Sequence, residues 1–107
     1  MIGLLVASSI YAAAFQSSGA DSARTTLRTC LHGAVEEAKK QKVAADGFSV
    51  FAHQQCAVQE TNFKSAMWAF DSRNKVSKKQ SESDAGLQID DFVASAADRY
   101  SMETTPQ

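Results

Sequence analysis

Apolar residues recur every three or four positions in three stretches of the chain, which is the spacing of amphipathic α-helices. The first stretch begins at Asp21 or Ser22, either of which is a good N-cap, and continues to about Lys42. Its apolar positions share one arc of about 140° when successive residues are placed 100° apart. They are Ala23, Leu27, Cys30, Leu31, Ala34, Val35 and Ala38. Charged residues occupy the opposite side, as expected for a helix that covers a core.

The second stretch is the longest and extends from about Gly47 to Asp71, with Asp46 as the expected N-cap. Its main apolar face carries Phe48, Ala52, Cys56, Gln59, Phe63, Ala66, Met67 and Phe70. A second apolar edge carries Phe51, Val58 and Ala69. Two apolar faces are typical of a central helix that packs against a neighbour on each side.

The third stretch spans roughly Asp84 to Ser101. Its apolar face consists of Ala85, Ile89, Phe92, Val93, Ala96 and Tyr100. The polar, basic segment 73–83 is predicted to be a linker or a frayed helix end. Residues 102–107, which contain the only proline, are expected to be disordered. No stretch alternates with a period of two. The pattern therefore predicts an all-α fold, a small three-helix domain over residues 21–101.

Cys30 and Cys56 are the only cysteines in the chain. The segment 43–47 lies between the first two helical patterns and predicts a turn, and a hairpin folded there sets residue 30 opposite roughly residues 56–60. The two cysteines are therefore predicted to form a disulfide that staples the hairpin. Closing a loop of this length stabilises a fold by roughly 3–4 kcal/mol in the chain-entropy model. A disulfide also indicates an oxidising compartment.

The same cysteines invite a metal-site interpretation, because Cys30-x-His32 and His53-x-x-Cys56 together make a Cys2His2 set. Residues two apart on a helix diverge by about 200°, so Cys30 and His32 cannot both face one ion. Both histidines also fall on charged faces. The sequence therefore predicts no metal and no cofactor.

The first twenty residues carry no charged side chain. Residues 2–15 form a short apolar run, and small residues provide cleavage sites after Ala14 or Ala20, as in a secretory signal peptide. The run is shorter than the roughly 18 residues of a membrane-spanning helix, so no stable span is expected after cleavage. No Lys or Arg precedes the run, which leaves a buried N-terminal helix and an uncleaved anchor as alternatives. The favoured location is the periplasm or the exterior.

Charge and motif content narrow the function. The chain has 11 Lys+Arg and 12 Asp+Glu, for a net charge of -1, which argues against nucleic-acid binding. It contains no G-x-S-x-G motif and no glycine-rich phosphate loop. The carboxylate pairs Glu36-Glu37 and Asp90-Asp91 diverge by about 100° on a helix, so neither can flank one glycosidic bond. No catalytic residue is predicted, and the chain is interpreted as a non-enzyme.

Trp68 lies outside the core pattern of the second helix. It projects about 160° from the centre of the main apolar face, beside Lys64. An exposed tryptophan can anchor a protein partner, which makes Trp68 and Lys64 the candidate partner-binding residues. The alternative, which the pattern favours, is that Trp68 packs against the third helix or stacks on Lys64.

The apolar leader, the paired cysteines on a helical hairpin and the segment Leu87-Gln88-Ile89-Asp90-Asp91-Phe92 resemble small uncharacterised exported proteins of Gram-negative, sphingomonad-type bacteria. This resemblance implies export and a helical fold but no activity. In architecture alone, the chain is similar to periplasmic acid-stress chaperones and periplasmic lysozyme inhibitors. Three functions are therefore considered: a binding or structural protein of the periplasm, a conditional stress chaperone, and an inhibitor of a cell-wall hydrolase. The oligomeric state is not predicted.

Overall fold

The computed structural model describes the backbone of residues 2–105 and the side chains of residues 19–105. Its elements are α1 (Ile2–Gln41), a 3-10 turn (Ala45–Gly47), α2 (Phe48–Gln55), α3 (Ala57–Arg73) and α4 (Lys78–Thr104). The all-α prediction is confirmed, with four helices in place of three. Most side chains of the predicted signal peptide lie outside the described part, as do residues 106 and 107 of the predicted tail.

Helices α1 and α4 run parallel to each other. Their side chains meet at a constant separation of 64 residues, in the Arg24–Gln88 hydrogen bond and in the Lys39–Glu103 ion pair. Helix α3 runs antiparallel to both helices, and α2 covers one end by packing on α1 and α4. The result is a three-helix bundle whose second helix is divided in two.

The predicted apolar faces form the core of this bundle. The buried residues of the core are Leu27, Leu31, Ala34, Val35, Ala38, Phe48, Ala52, Cys56, Phe63, Ala85, Ile89, Val93 and Tyr100. The ring of Phe48 stacks on Tyr100 at 4.8 Å between centroids. The prediction of a second apolar edge is wrong at Val58, which is 67% exposed, and at Ala69, which is also exposed. Phe70, at the end of the predicted main face, is 38% exposed. None of these three residues belongs to the core, whereas Phe51 packs against it.

The disulfide between Cys30 and Cys56 is present, with Cα atoms 5.9 Å apart, inside the usual range. The single long helix predicted over residues 47–71 is broken at Cys56, whose φ of -111° and ψ of 20° leave the helical region. The two halves pack differently: Phe48 on α2 meets Tyr100, whereas Phe63 on α3 meets Phe92. Asp46 does not cap either half, since it lies in the 3-10 turn.

Two turns separate the antiparallel elements, and each contains a lysine with positive φ. Lys42 follows α1 with φ 55°, and Lys75 follows α3 with φ 61°. After each of them a backbone N–H returns five residues, from Val43 to Ala38 O at 3.0 Å and from Val76 to Asp71 O at 3.1 Å. This is the Schellman pattern that ends many helices. The predicted turn after the first helix is confirmed.

Helix α4 is longer at both ends than the sequence predicts. It begins at Lys78, because the hydroxyl of Ser77 accepts a hydrogen bond from the N–H of Gln80 and caps the helix. Much of the predicted linker is therefore helical. At the other end α4 reaches Thr104, whose hydroxyl donates to Tyr100 O at 2.7 Å. The first three residues of the predicted disordered tail are thus part of the helix.

Helix α1 does not begin at Asp21 or Ser22 as predicted, because the helical backbone passes through both residues. Asp21 is instead an acceptor within the helix, with its Oδ1 2.7 Å from Nη1 of Arg24. Ala20 is buried, with 8% of its surface exposed. Among the helices described here, none combines the length and the apolar character that a membrane span requires.

Candidate binding groove

An open groove of about 370 Å³ lies between α1 and α4, within the size range of small-molecule sites. Its lining residues are Arg28, Leu31, His32, Val35, Asp91, Phe92, Ser95, Ala96 and Arg99. The floor is apolar, since Leu31 and Val35 belong to the core and are 3% and 0% exposed. The groove exists because α4 presents the short side chains of Ser95 and Ala96 at the level of Leu31.

Arg28 stands at one end of the groove, with its guanidinium 5.6 Å from the centre of the Phe92 ring. Arg24, one turn earlier on α1, makes the equivalent contact with Phe63 at 5.5 Å. The donors of Arg24 are used by Asp21 Oδ1 at 2.7 Å and Gln88 Oε1 at 3.3 Å. Arg28 has no hydrogen-bond acceptor and no ion-pair partner among the side chains of residues 19–105. Its in-plane N–H groups are available to a ligand.

Asp91 lies at the same end of the groove, on α4. It is exposed, and it too makes no ion pair or hydrogen bond with a described side chain. Because residues 64 apart lie level in these two helices, Arg28 is level with Phe92 and therefore with its neighbour Asp91. One guanidinium and one carboxylate, neither of them paired with a described side chain, flank the same apolar floor.

Arg99 closes the opposite end and is held in place by several partners. Its Nε donates to Glu103, its Nη1 donates to Nδ1 of His32, and its Nη2 is 3.6 Å from Oε1 of Glu36. Lys39 also pairs with Glu103. Hydrogen bonds from Lys39 and then Arg99 lower the pKa of the Glu103 carboxyl, and Glu103 in turn raises the pKa of Lys39. This end of the groove is electrically balanced.

The predicted partner-binding residues lie elsewhere. Trp68 is partly buried and, with Lys64 and Ser65 on α3, lines a shallow depression of about 490 Å³ against the first turns of α4. Lys78 and Glu82 complete its walls. The depression shares no lining residue with the groove between α1 and α4. The partner-binding role of Trp68 and Lys64 stays a prediction.

The histidines and cysteines considered for a metal site are occupied by other contacts. Cys30 and Cys56 are bonded to each other, which leaves no thiolate to bind an ion. His53 Nδ1 is 2.8 Å from Oε2 of Glu60, and so connects α2 to α3 across the break. No group of three or more potential metal ligands is found in the part of the chain that the structure describes.

Sequence reasoning missed the groove, although it assigned Leu31, Val35, Phe92 and Ala96 to apolar faces. By periodicity Arg28 falls among the charged residues on the polar side of the first helix, and Asp91 belongs to a carboxylate pair on the third. Only the register between α1 and α4 brings them together, and nothing in the helical periodicity specifies that register.

No protein-family model matches this chain, and no significant match is found among curated proteins or among solved structures.

Proposed function

We propose that this chain is an exported, disulfide-stapled helical protein that binds a ligand in the groove between α1 and α4 and has no catalytic activity of its own. The observation that carries the proposal is the pair of uncompensated charges, Arg28 and Asp91, beside a floor of core residues. Charged side chains placed beside an apolar floor are a recurrent property of ligand sites.

Ser95, His32 and Asp91 all line the groove, and these are the residue types of a hydrolase triad. Their contacts do not support that chemistry. A guanidinium is always a donor, so Nδ1 of His32 accepts the hydrogen bond from Arg99. In a hydrolase triad the corresponding Nδ1 instead donates to a carboxylate, so the contact does not match that arrangement. We therefore interpret these groups as ligand contacts.

Export is supported by the charge-free first twenty residues and by the disulfide. Of the two candidate cleavage sites, the helix register favours the one after Ala14. Since residues 64 apart lie level, Lys78 at the start of α4 is level with Ala14. Cleavage after Ala14 leaves an α1 whose start is level with the start of α4. Cleavage after Ala20 would instead remove a buried residue of the bundle.

Intact-mass measurement of protein from a periplasmic fraction tests this export. We expect a mature chain that begins at Phe15 and contains the disulfide. Ala14→Leu should block processing, because a small residue is needed immediately before the cut, whereas the matched variant Ala13→Leu should be processed normally. Recovery of the unprocessed chain from the cytoplasm would refute export, and a mature chain starting at Asp21 would refute the register argument.

Binding in the groove is tested by amide chemical shifts of the mature, disulfide-intact protein. The labelled protein is mixed with the small-molecule fraction of periplasmic extract. We expect shifts at Arg28, Phe92 and Ser95, which should vanish in Ser95→Trp because the indole fills the groove. Ser83→Trp, on the exposed surface of the same helix, is the control. Shifts confined to Trp68 and Lys64 would show that the ligand binds at the depression on α3 and not in the groove. An unchanged spectrum would refute the binding function.

A further inference from the structure

We propose that the ligand of this groove is a zwitterion with an apolar body, of which an α-amino acid with an apolar side chain is the simplest form. This inference rests on the binding function proposed above and specifies its ligand class. Arg28 binds the carboxylate, Asp91 binds the ammonium group, and the apolar side chain lies on Leu31, Val35 and Ala96.

The charges of the groove exclude simpler ligands. Arg99 is balanced by Glu36 and Glu103, so the uncompensated groups of the lining are Arg28 and Asp91 alone. A purely anionic ligand gains from Arg28 but is repelled by Asp91, and a purely cationic ligand meets the reverse. Only a molecule that carries both charges satisfies both groups, and hydrogen bonds to charged groups are stronger than those between neutral groups.

Arg28 is prepared for a carboxylate by its contact with Phe92. The aromatic ring holds the guanidinium face, so the planar fork of N–H donors is oriented before a ligand arrives. A guanidinium fork matches the two oxygens of a carboxylate. The comparison with Arg24 is informative, because that residue has the same aromatic contact but its donors are already used within the protein.

Arg28 and Asp91 stand at the same end of the groove, as the two charges of one α-amino acid require. The carboxylate and ammonium groups of such a molecule share one carbon atom. From residue 28 to residue 35 the helix rises about 10 Å, and core side chains form the floor of the groove along this length. An aliphatic or aromatic side chain covers part of this floor. Glycine reaches the charges but leaves the floor uncovered.

Titration calorimetry and amide shifts on the mature, disulfide-intact protein test the proposal with a matched ligand set. Leucine and phenylalanine are expected to bind and to shift the amides of Arg28, Asp91 and Ser95. Glycine tests the apolar floor, N-acetyl-leucine lacks the ammonium group, and leucinamide lacks the carboxylate. We expect each of the three to bind at least roughly tenfold more weakly than leucine, since each loses one contact.

Two variants assign the charges to the residues. Arg28→Gln should weaken leucine roughly tenfold but should not weaken leucinamide, which has no carboxylate and is freed from the repulsion of the guanidinium. Asp91→Asn should weaken leucine similarly but should not weaken N-acetyl-leucine, which has no ammonium group and is freed from the repulsion of the Asp91 carboxylate. Asp90→Asn is the matched control, since Asp90 is exposed next to Asp91 and does not line the groove. These crossed comparisons do not depend on a small change in folding stability.

The outcomes separate the ligand class from the function. If N-acetyl-leucine or leucinamide binds as well as leucine, the zwitterion proposal is wrong. If no member of the set binds while the periplasmic fraction still shifts the groove amides, the ligand class is wrong and the binding function stands. If neither the set nor the fraction shifts these amides, both proposals fail.

Discussion

Arg24 and Arg28 show that at the scale of single residues the partner decides the role. Both arginines lie on α1 and both cover a phenylalanine ring at about the same distance. Asp21 and Gln88 satisfy the first and make it a structural contact between helices. The second meets no acceptor among the described side chains. This difference between the two arginines is not visible in the sequence, where each is one more cation on a polar face.

We expect the hydroxyl group of Tyr100 to contribute to the stability of the fold. The hydroxyl is buried and donates to Val43 O, with Ala38 O at 3.3 Å, so it ties α4 to the end of α1. Tyr100→Phe keeps the stacking on Phe48 and removes only this bond. We expect a loss of about 1–2 kcal/mol in the free energy of unfolding, measured by urea denaturation.

Met102, two residues further along α4 and 75% exposed, provides the control for that measurement. Met102→Ala should change the free energy of unfolding by less than about 0.5 kcal/mol. Equal effects of the two substitutions would show that the hydroxyl bond contributes nothing specific.

Glu103 gives the stability of the protein a predictable dependence on acid. Its pKa is lowered from the ordinary 4.5 by Lys39 and Arg99, so its contribution is present above that value and is lost as pH falls through the lower, folded-state pKa. Lys39, whose pKa is raised, contributes below 10.5 and loses its contribution as pH rises through the folded-state value. Glu103→Gln should be less stable than wild type at pH 7 and equally stable in strong acid.

Melting temperatures measured between pH 2 and 7 test the behaviour of Glu103, with Glu82→Gln as the comparison. Glu82 makes no ion pair with a described side chain, so its substitution should leave the shape of the pH curve unchanged. An unchanged curve for Glu103→Gln as well would show that the pair with Lys39 is not maintained in solution.

At the scale of the elements, periodicity identified which faces are buried but not where each helix stops. The faces of α1 and α4 match the core closely, because burial of an amphipathic helix is recorded in its apolar positions. The break at Cys56 left no such mark. On its two sides, α2 and α3 pack on different parts of α4, a tertiary arrangement that the periodicity does not record. The capping of α4 by Ser77 was readable in principle, since a serine precedes the helix.

Lys75 occupies a position that glycine suits better. A non-glycine residue with positive φ has a steric cost of roughly 1–2 kcal/mol. Glycine avoids this cost, but its greater freedom in the unfolded chain offsets part of the gain. We therefore expect Lys75→Gly to raise the free energy of unfolding by about 0.5–1 kcal/mol. Lys64→Gly, inside α3, should lower it by about 1 kcal/mol, because glycine is a poor helix former. Chemical denaturation of both variants gives the sign directly, and a loss of stability in Lys75→Gly would contradict the steric argument.

At the scale of the whole molecule, the arrangement depends on facts that no local pattern contains. The sequence predicted the hairpin and its disulfide because Cys30 and Cys56 flank a recognisable turn at similar distances. The groove could not be predicted, since it needs α4 to lie parallel to α1 with a particular offset. Arg28 and Asp91 are brought level by that offset. Trp68, in contrast, stands outside the apolar face of a single helix, where periodicity alone places it beside Lys64.

The disulfide is expected to be a large part of the stability of this small bundle. It joins residues 26 positions apart, and the double variant Cys30→Ala with Cys56→Ala should lose roughly 3–4 kcal/mol in the free energy of unfolding. Thermal and urea unfolding of the variant, beside the oxidised and reduced wild type, would measure the loss. If the variant and the oxidised protein unfold at the same midpoint, the staple is not a source of stability.

The parallel register of α1 and α4 also has a consequence for the order in which the chain folds. Contacts between α1 and α3 close a short loop that the disulfide can lock, whereas those between α1 and α4 join residues 64 apart. Long-range contacts have the larger entropic cost of closure and tend to form last. Because the disulfide locks α1 to α3, we expect α4 to dock last, and its amides should exchange with solvent sooner than those of α1. A ligand held between Arg28 and Asp91 would slow that exchange by joining the last helix to the first.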